Sequence, residues 1–226
     1  MQNPQPEFSV ETHWEKAAKT RMGKYLTRIE TDFILSSIDP AKTSVVVDVG
    51  AEAGRFSLMA ANSNITVVGI DIDSYSLRRL KQKNKNVTVI QADARKIPLQ
   101  SGCFDAVFMI EVLDYIPELN QALGEGFRIL KPGFPLVLSF GNQSSLKAKL
   151  RGLRGKSYMH SYGQVVDSLS AAGFTVHKKM GYSWLPFGRT SDSKFVPFLA
   201  GVERLFGLRR MPRFSPWVIL HANKSK

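Results

Sequence analysis

Residues 45–49 read Val-Val-Val-Asp-Val, and this β-branched run closes on Gly50 and Gly54. An apolar run of that kind reads as a strand buried on both faces, which belongs inside a parallel sheet covered by helices. The glycines predict a tight turn into a helix over 55–61. Free backbone N–H groups and the positive end of a helix then meet where an anionic ligand group can sit. Asp48 stands just before the turn, on the C-terminal end of the strand. Further on, residues 67–73 read VVGIDID, a second apolar strand ending in Asp71 and Asp73, placed to accept hydrogen bonds from ribose hydroxyls. Two such units make a nucleoside pocket, and the rest of the chain can be laid out from them.

The turn reads Asp48-Val49-Gly50-Ala51-Glu52-Ala53-Gly54. Its glycines are spaced G-x-x-x-G, so the dinucleotide fingerprint G-x-G-x-x-G is absent and a dehydrogenase is the weaker reading. The stretch resembles the first motif of the class I S-adenosylmethionine (SAM)-dependent methyltransferases, a hydrophobic strand followed by Asp/Glu-x-Gly-x-Gly-x-Gly, with Glu52 in place of the middle glycine. Glycine lets a backbone approach a ligand closely, whereas glutamate adds bulk and a charge that can face the ligand's ammonium or sulfonium. The run QADARKIPLQSGCFDAVFMIEVLDYI, after a third strand over 87–90, resembles the family's next two motifs in the right order.

The resemblance implies SAM as cofactor, bound by Asp48, Gly50, Ala51, Glu52 and Gly54 at the turn and by Asp71 and Ile72 at the ribose. It also implies Asp93 at the adenine amino group, the Ala94 backbone N–H at a ring nitrogen, and Glu111 where the fourth strand opens onto the methionine part and the acceptor. Taken alone, Asp93 reads as a turn or helix cap. Tyr115 stands where many relatives carry histidine, but a tyrosine with a pKa of about 10 is a poor base at neutral pH. Tyr115 and His160 are the candidates to orient or deprotonate an acceptor, and for each a structural hydrogen bond is the plainer role.

By the same resemblance the fold is α/β, a Rossmann-like seven-stranded sheet of order 3-2-1-4-5-7-6 with strand seven antiparallel and helices on both faces. Residues 1–9 read as a loose arm, and helical spacing of Trp14, Met22, Tyr25, Leu26, Ile29, Phe33, Ile34 and Ile38 predicts helix over 11–38. Residues 1–43 form an N-terminal lid or edge segment, in which Arg21 and Tyr25 are weak candidates for lid contacts, and 44–226 the methyltransferase domain. Further helices are expected over 74–84, 119–130 and 165–172, and strands over 106–110, 135–140, 174–180 and 217–222. The connection between the last two is long for a hairpin and carries a predicted helix over 194–208, so it forms a basic, aromatic insertion over about 182–214.

Charge marks the same region. Of the +12 net charge, residues 1–140 contribute nothing, with 16 Lys/Arg against 16 Asp/Glu, while residues 141–226 hold 15 against 3. The basic stretch 143–154 and the aromatic insertion suit an anionic membrane surface, a lipid-linked phosphate or RNA, and equally a solvated basic face. The single cysteine, Cys103, excludes an internal disulfide and a cysteine-built metal cluster, and no apolar run approaches the length of a membrane span. The expectation is a cytoplasmic protein, peripheral membrane contact left open, that methylates a small-molecule or lipid-linked acceptor. RNA methylation and a non-catalytic binding role are the alternatives.

Overall fold

The computed structural model describes residues 10–39, 41–145, 147–148 and 160–226. The expected arm at 1–9 and residues 149–154 of the basic stretch lie outside the described residues. Seven strands, β1 (Val45–Val49), β2 (Thr66–Asp71), β3 (Thr88–Gln91), β4 (Ala106–Ile110), β5 (Pro135–Gly141), β6 (Phe174–Tyr182) and β7 (Trp217–Lys224), pair in the order β3-β2-β1-β4-β5-β7-β6. The first five run parallel, and β7 is antiparallel to both β5 and β6. This is the topology the resemblance implied.

Around the sheet lie α1 (His13–Lys19), α2 (Arg21–Leu35), α3 (Arg55–Ala61), α4 (Ser74–Lys83), α5 (Leu119–Ile129), α6 (Tyr162–Ala171) and α7 (Val196–Leu205). The valine run of β1 shows how the two layers form. Side chains alternate across a strand, so Val47 and Val49 enter the core beneath α5 and α6, while Val46 enters the one beneath α2, α3 and α4. Asp48 shares the second face and meets α3 there.

The expected helix over 11–38 is two helices. Thr20 has extended backbone (φ −73°, ψ 161°) and its hydroxyl accepts from Gly23 N–H, capping α2 as α1 ends. The helix expected over 194–208 is shorter, because Gly207 turns left-handed (φ 63°) before a 3-10 turn, Leu208–Arg210. Strand order reverses at β1, flanked by β2 on one side and β4 on the other. That reversal opens a crevice at the strands' C-terminal ends.

Candidate functional site

A cleft of about 950 Å³ occupies this crevice. Its floor is the β1–α3 turn. Gly50 (φ 76°) and Gly54 (φ 93°) are left-handed, and a Cβ on either would lie within 2.7 Å of Val112 Cγ2 or 2.3 Å of Leu80 Cδ1. Glu52 is left-handed as well (φ 47°) without being glycine. That conformation costs an L-residue roughly 1–2 kcal/mol. Its amide donates to Asp71 Oδ2 at 2.8 Å, and its carboxylate folds back onto the amide of Ala53.

Asp71, at the end of β2, also accepts from the amide of Asp73 at 2.9 Å through its other oxygen. Ile72 is 70 % exposed on the cleft wall between Asp71 and the loop carrying Asp93 and Ala94. Asp93 is engaged by Arg95 at 2.6 Å, which holds its carboxyl below the usual range, and Arg95 also reaches Glu118 at 2.6 Å. Gly50, Ala51, Glu52, Gly54, Asp71, Ile72, Asp93, Ala94, Glu111 and Tyr115 all line the cleft.

Two expected residues do not. Asp48 is buried beneath the turn, where its carboxylate accepts from Ser57 Oγ at 2.6 Å and burial pushes it up to about 6. His160 lies outside the cleft, with Nε2 3.2 Å and 3.1 Å from the carbonyls of Leu113 and Ile116. It braces the 3-10 turn Leu113–Tyr115, which carries Tyr115 to the mouth of the cleft. Partial burial raises the Tyr115 phenol above its ordinary value. Asp114 is turned away from the cleft, accepting from the amide of Gly141 at 2.9 Å.

Helix α1 roofs the cleft with His13, Trp14 and Ala18. Its position is set by Glu15, which pairs with Arg79 at 2.6 Å and Lys83 at 2.6 Å on α4; against the upward push of burial, these cations hold Glu15 down to about 2. Arg21 and Tyr25 make no part of this roof: Arg21 pairs with Asp192 at 2.9 Å, and Tyr25 packs into the core around α2.

Sequence reasoning missed the group behind the wall. Glu111 takes a left-handed backbone (φ 61°) at the end of β4, and its carboxylate is gripped by both terminal nitrogens of Arg189 and lies 3.3 Å from Arg55. Arg55 in turn lies 3.2 Å from the wholly buried Glu30, whose other oxygen accepts from Tyr182 Oη at 2.5 Å. The Arg189 guanidinium stacks 3.8 Å from the Trp217 ring centroid and 5.3 Å from that of Trp14. So the connection between β6 and β7 sends one arginine inward to the edge of the cleft. Although burial favours the neutral acid, the two arginines keep Glu111 well below the ordinary carboxylate range. One signal for this cluster was in the sequence: Glu30 falls on the apolar stripe of α2, four residues from both Leu26 and Ile34.

Among the described residues, no group of three or more His, Cys, Asp or Glu side chains could hold a metal, and no helix is long and apolar enough to cross a membrane.

Residues 47–138 match the family described as "Methyltransferase domain". The chain is 26 % identical to 24-methylenesterol C-methyltransferase 3 of Arabidopsis thaliana over 186 residues, which are 74 % of this chain and 52 % of that protein. It is 29 % identical to demethylmenaquinone methyltransferase of Renibacterium salmoninarum over 113 residues, 50 % of this chain and 48 % of that one. The chain thus spans about half the length of these curated relatives. Among solved structures, a SAM-dependent methyltransferase from Methanosarcina mazei superposes with a TM-score of 0.65 at 17 % identity, over 85 % of this chain and 97 % of that one.

Proposed function

We propose that this chain, a class I SAM-dependent methyltransferase, transfers a methyl group to a small-molecule or lipid-linked acceptor held at the mouth of the cleft. The observation that carries the reading is the convergence of the Gly50–Gly54 turn, Asp71 and the Asp93 loop on one cleft beneath α1. The residues present fit the cofactor. Asp71 retains lone pairs beyond the two amides that it accepts from, enough for ribose hydroxyls. Ile72 offers an apolar surface to a base, and Gly50 lets the turn close against Val112 at the cleft floor.

When bound, SAM supplies an electrophilic methyl group on a sulfonium sulfur. The protein's share is alignment and exclusion of water. In this reading Asp71 holds the ribose, Asp93 and the Ala94 amide take the adenine edge, and Glu52 faces the ammonium. Asp93 must then be shared with Arg95, which Glu118 steadies from its other side. Tyr115 donates a hydrogen bond to the acceptor rather than acting as base, since its phenol is shifted upward. A lipid-linked acceptor carries with it peripheral contact with an anionic membrane surface.

Calorimetry with SAM, followed by transfer of labelled methyl into lipid extracts, small phenols and RNA, tests the reading. Labelling of RNA alone would move the acceptor class to nucleic acid, and absence of SAM binding would overturn the proposal. Asp71→Ala should weaken SAM binding by about 1.5–3 kcal/mol, the worth of a hydrogen bond with a charged partner. Undiminished affinity would remove Asp71 from the site.

A further inference from the structure

The connection between β6 and β7 is two-faced. Arg189 turns inward to Glu111, and Arg209 reaches Glu203 at 3.0 Å, so these two cations are used inside the protein. The basic insertion expected over 182–214 is therefore not basic outward at these two positions. What remains outside is different in kind. Helix α7 buries Val196 and Glu203 on its side toward α2, while Phe198 and Leu205 on its outer face and the flanking Phe195 and Phe206 are exposed. Phe198 is 68 % and Leu205 82 % exposed. Phe195, Phe198 and Leu205 follow an i, i+3, i+10 spacing, which puts them on one helical stripe. The next turn adds exposed Met211 and Phe214.

Cations flank this apolar surface: Lys194, Arg204, Arg210 and Arg213 are all exposed. The only acidic residue between 193 and 214 is Glu203, which is buried and held by Arg209. A solvated basic face has no use for large exposed aromatics. A protein partner with an apolar groove would not need cations without a single exposed carboxylate among them.

We infer that α7 and the turn after it form a docking face for an anionic lipid bilayer. Phe195, Phe198, Leu205, Phe206 and Phe214 enter the headgroup layer, and Lys194, Arg204, Arg210 and Arg213 lie against lipid phosphates and carboxylates. The face belongs to the same connection that sends Arg189 inward to Glu111. The docking itself is independent of methyl transfer.

Flotation of the full chain with phosphatidylcholine vesicles, with and without phosphatidylserine and at low and high salt, tests this. The parent should float with the anionic vesicles only and detach at high salt. Phe198→Ser/Leu205→Ser and Arg210→Glu/Arg213→Glu should each lose on the order of tenfold or more in partition. Both pairs lie outside the cleft, so SAM calorimetry and thermal unfolding should match the parent. If the aromatic pair fails to fold, the arginine pair still decides. No binding to anionic vesicles, or binding that both variants retain, overturns the inference. Salt-sensitive binding to single-stranded RNA without vesicle binding would do the same. SAM binding that persists alongside failed flotation would sink the docking face and leave the methyltransferase reading standing.

Discussion

At the scale of single residues, two glutamates sit where their chemistry is costly. Glu30 is wholly buried, and burial first, then the charge of Glu111, pushes it up to about 8 from an ordinary 4.5. Glu111, held by Arg189 and Arg55, keeps its charge, so the proton of the pair resides on Glu30. Between those two pH values the folded protein binds a proton that the unfolded chain has released, and stability therefore falls as pH rises through that window. Glu30→Gln copies the neutral acid in shape. It should flatten the decline in melting temperature between about pH 5 and 8, leaving the variant the more stable protein at the upper end. Parallel pH profiles for parent and variant would assign the slope to other groups. Glu52 is the second case. Replacing it with glycine relieves the left-handed backbone but gives up the bond to Ala53, so unfolding should change by no more than about 1 kcal/mol. Cofactor binding should weaken in Glu52→Gly, and equal or tighter binding would show that the carboxylate merely caps its own turn. Much of the cleft lining was readable because its parts are local: the glycine turn and Asp71 stand at strand ends, and the family resemblance added Ile72, Asp93 and Ala94 by their place after strands two and three. The Glu30, Arg55, Glu111 and Arg189 group was not, because Glu111 and Arg189 are 78 residues apart and no motif joins them.

At the scale of elements, strands were readable from apolar runs punctuated by glycine and proline, and their order from the family resemblance alone. Helix ends were less so. The break at Thr20 depends on a threonine that caps the end of one helix and the start of the next, which spacing of apolar residues does not reveal. The long connection read as a uniform basic insertion, yet its cations divide between inside and outside, a division set by which carboxylates of other elements come within reach. The inward contact should matter to the whole connection. Arg189→Leu leaves the buried Glu111 with one cation fewer, a loss of about 3–5 kcal/mol when one partner of a buried pair is removed. The double variant Arg189→Leu/Glu111→Gln should recover a large part of that in denaturant unfolding. Strictly additive losses would mean that the two side chains stabilise the fold separately. The same connection is tied to the N-terminal helices, where Met22 N–H donates to Ser191 O at 3.0 Å and Arg21 N–H to Asp192 Oδ1 at 2.9 Å. The start of α2 and the connection are therefore joined, from opposite ends of the chain.

At the scale of the molecule, the arrangement of strands separates two halves that the sequence treats as continuous. The half that builds most of the cleft, β1 to β4, comes from residues 45–110 and is paired in sequence-near steps. The other half is closed by β7, which lies between β5 and β6 and, among the described residues, is the one strand that β6 pairs with. A nascent chain on the ribosome meets this order in time. Until residues 217–224 emerge, the edge of β5, with Leu136, Val137, Leu138 and Phe140 beside it, stays open, and β6 has been made but has nothing to join. An open apolar strand edge is where chains associate wrongly. Stalling or truncation shortly before Trp217 therefore leaves a chain whose β5 edge is unprotected, the edge at which two such chains would pair with each other.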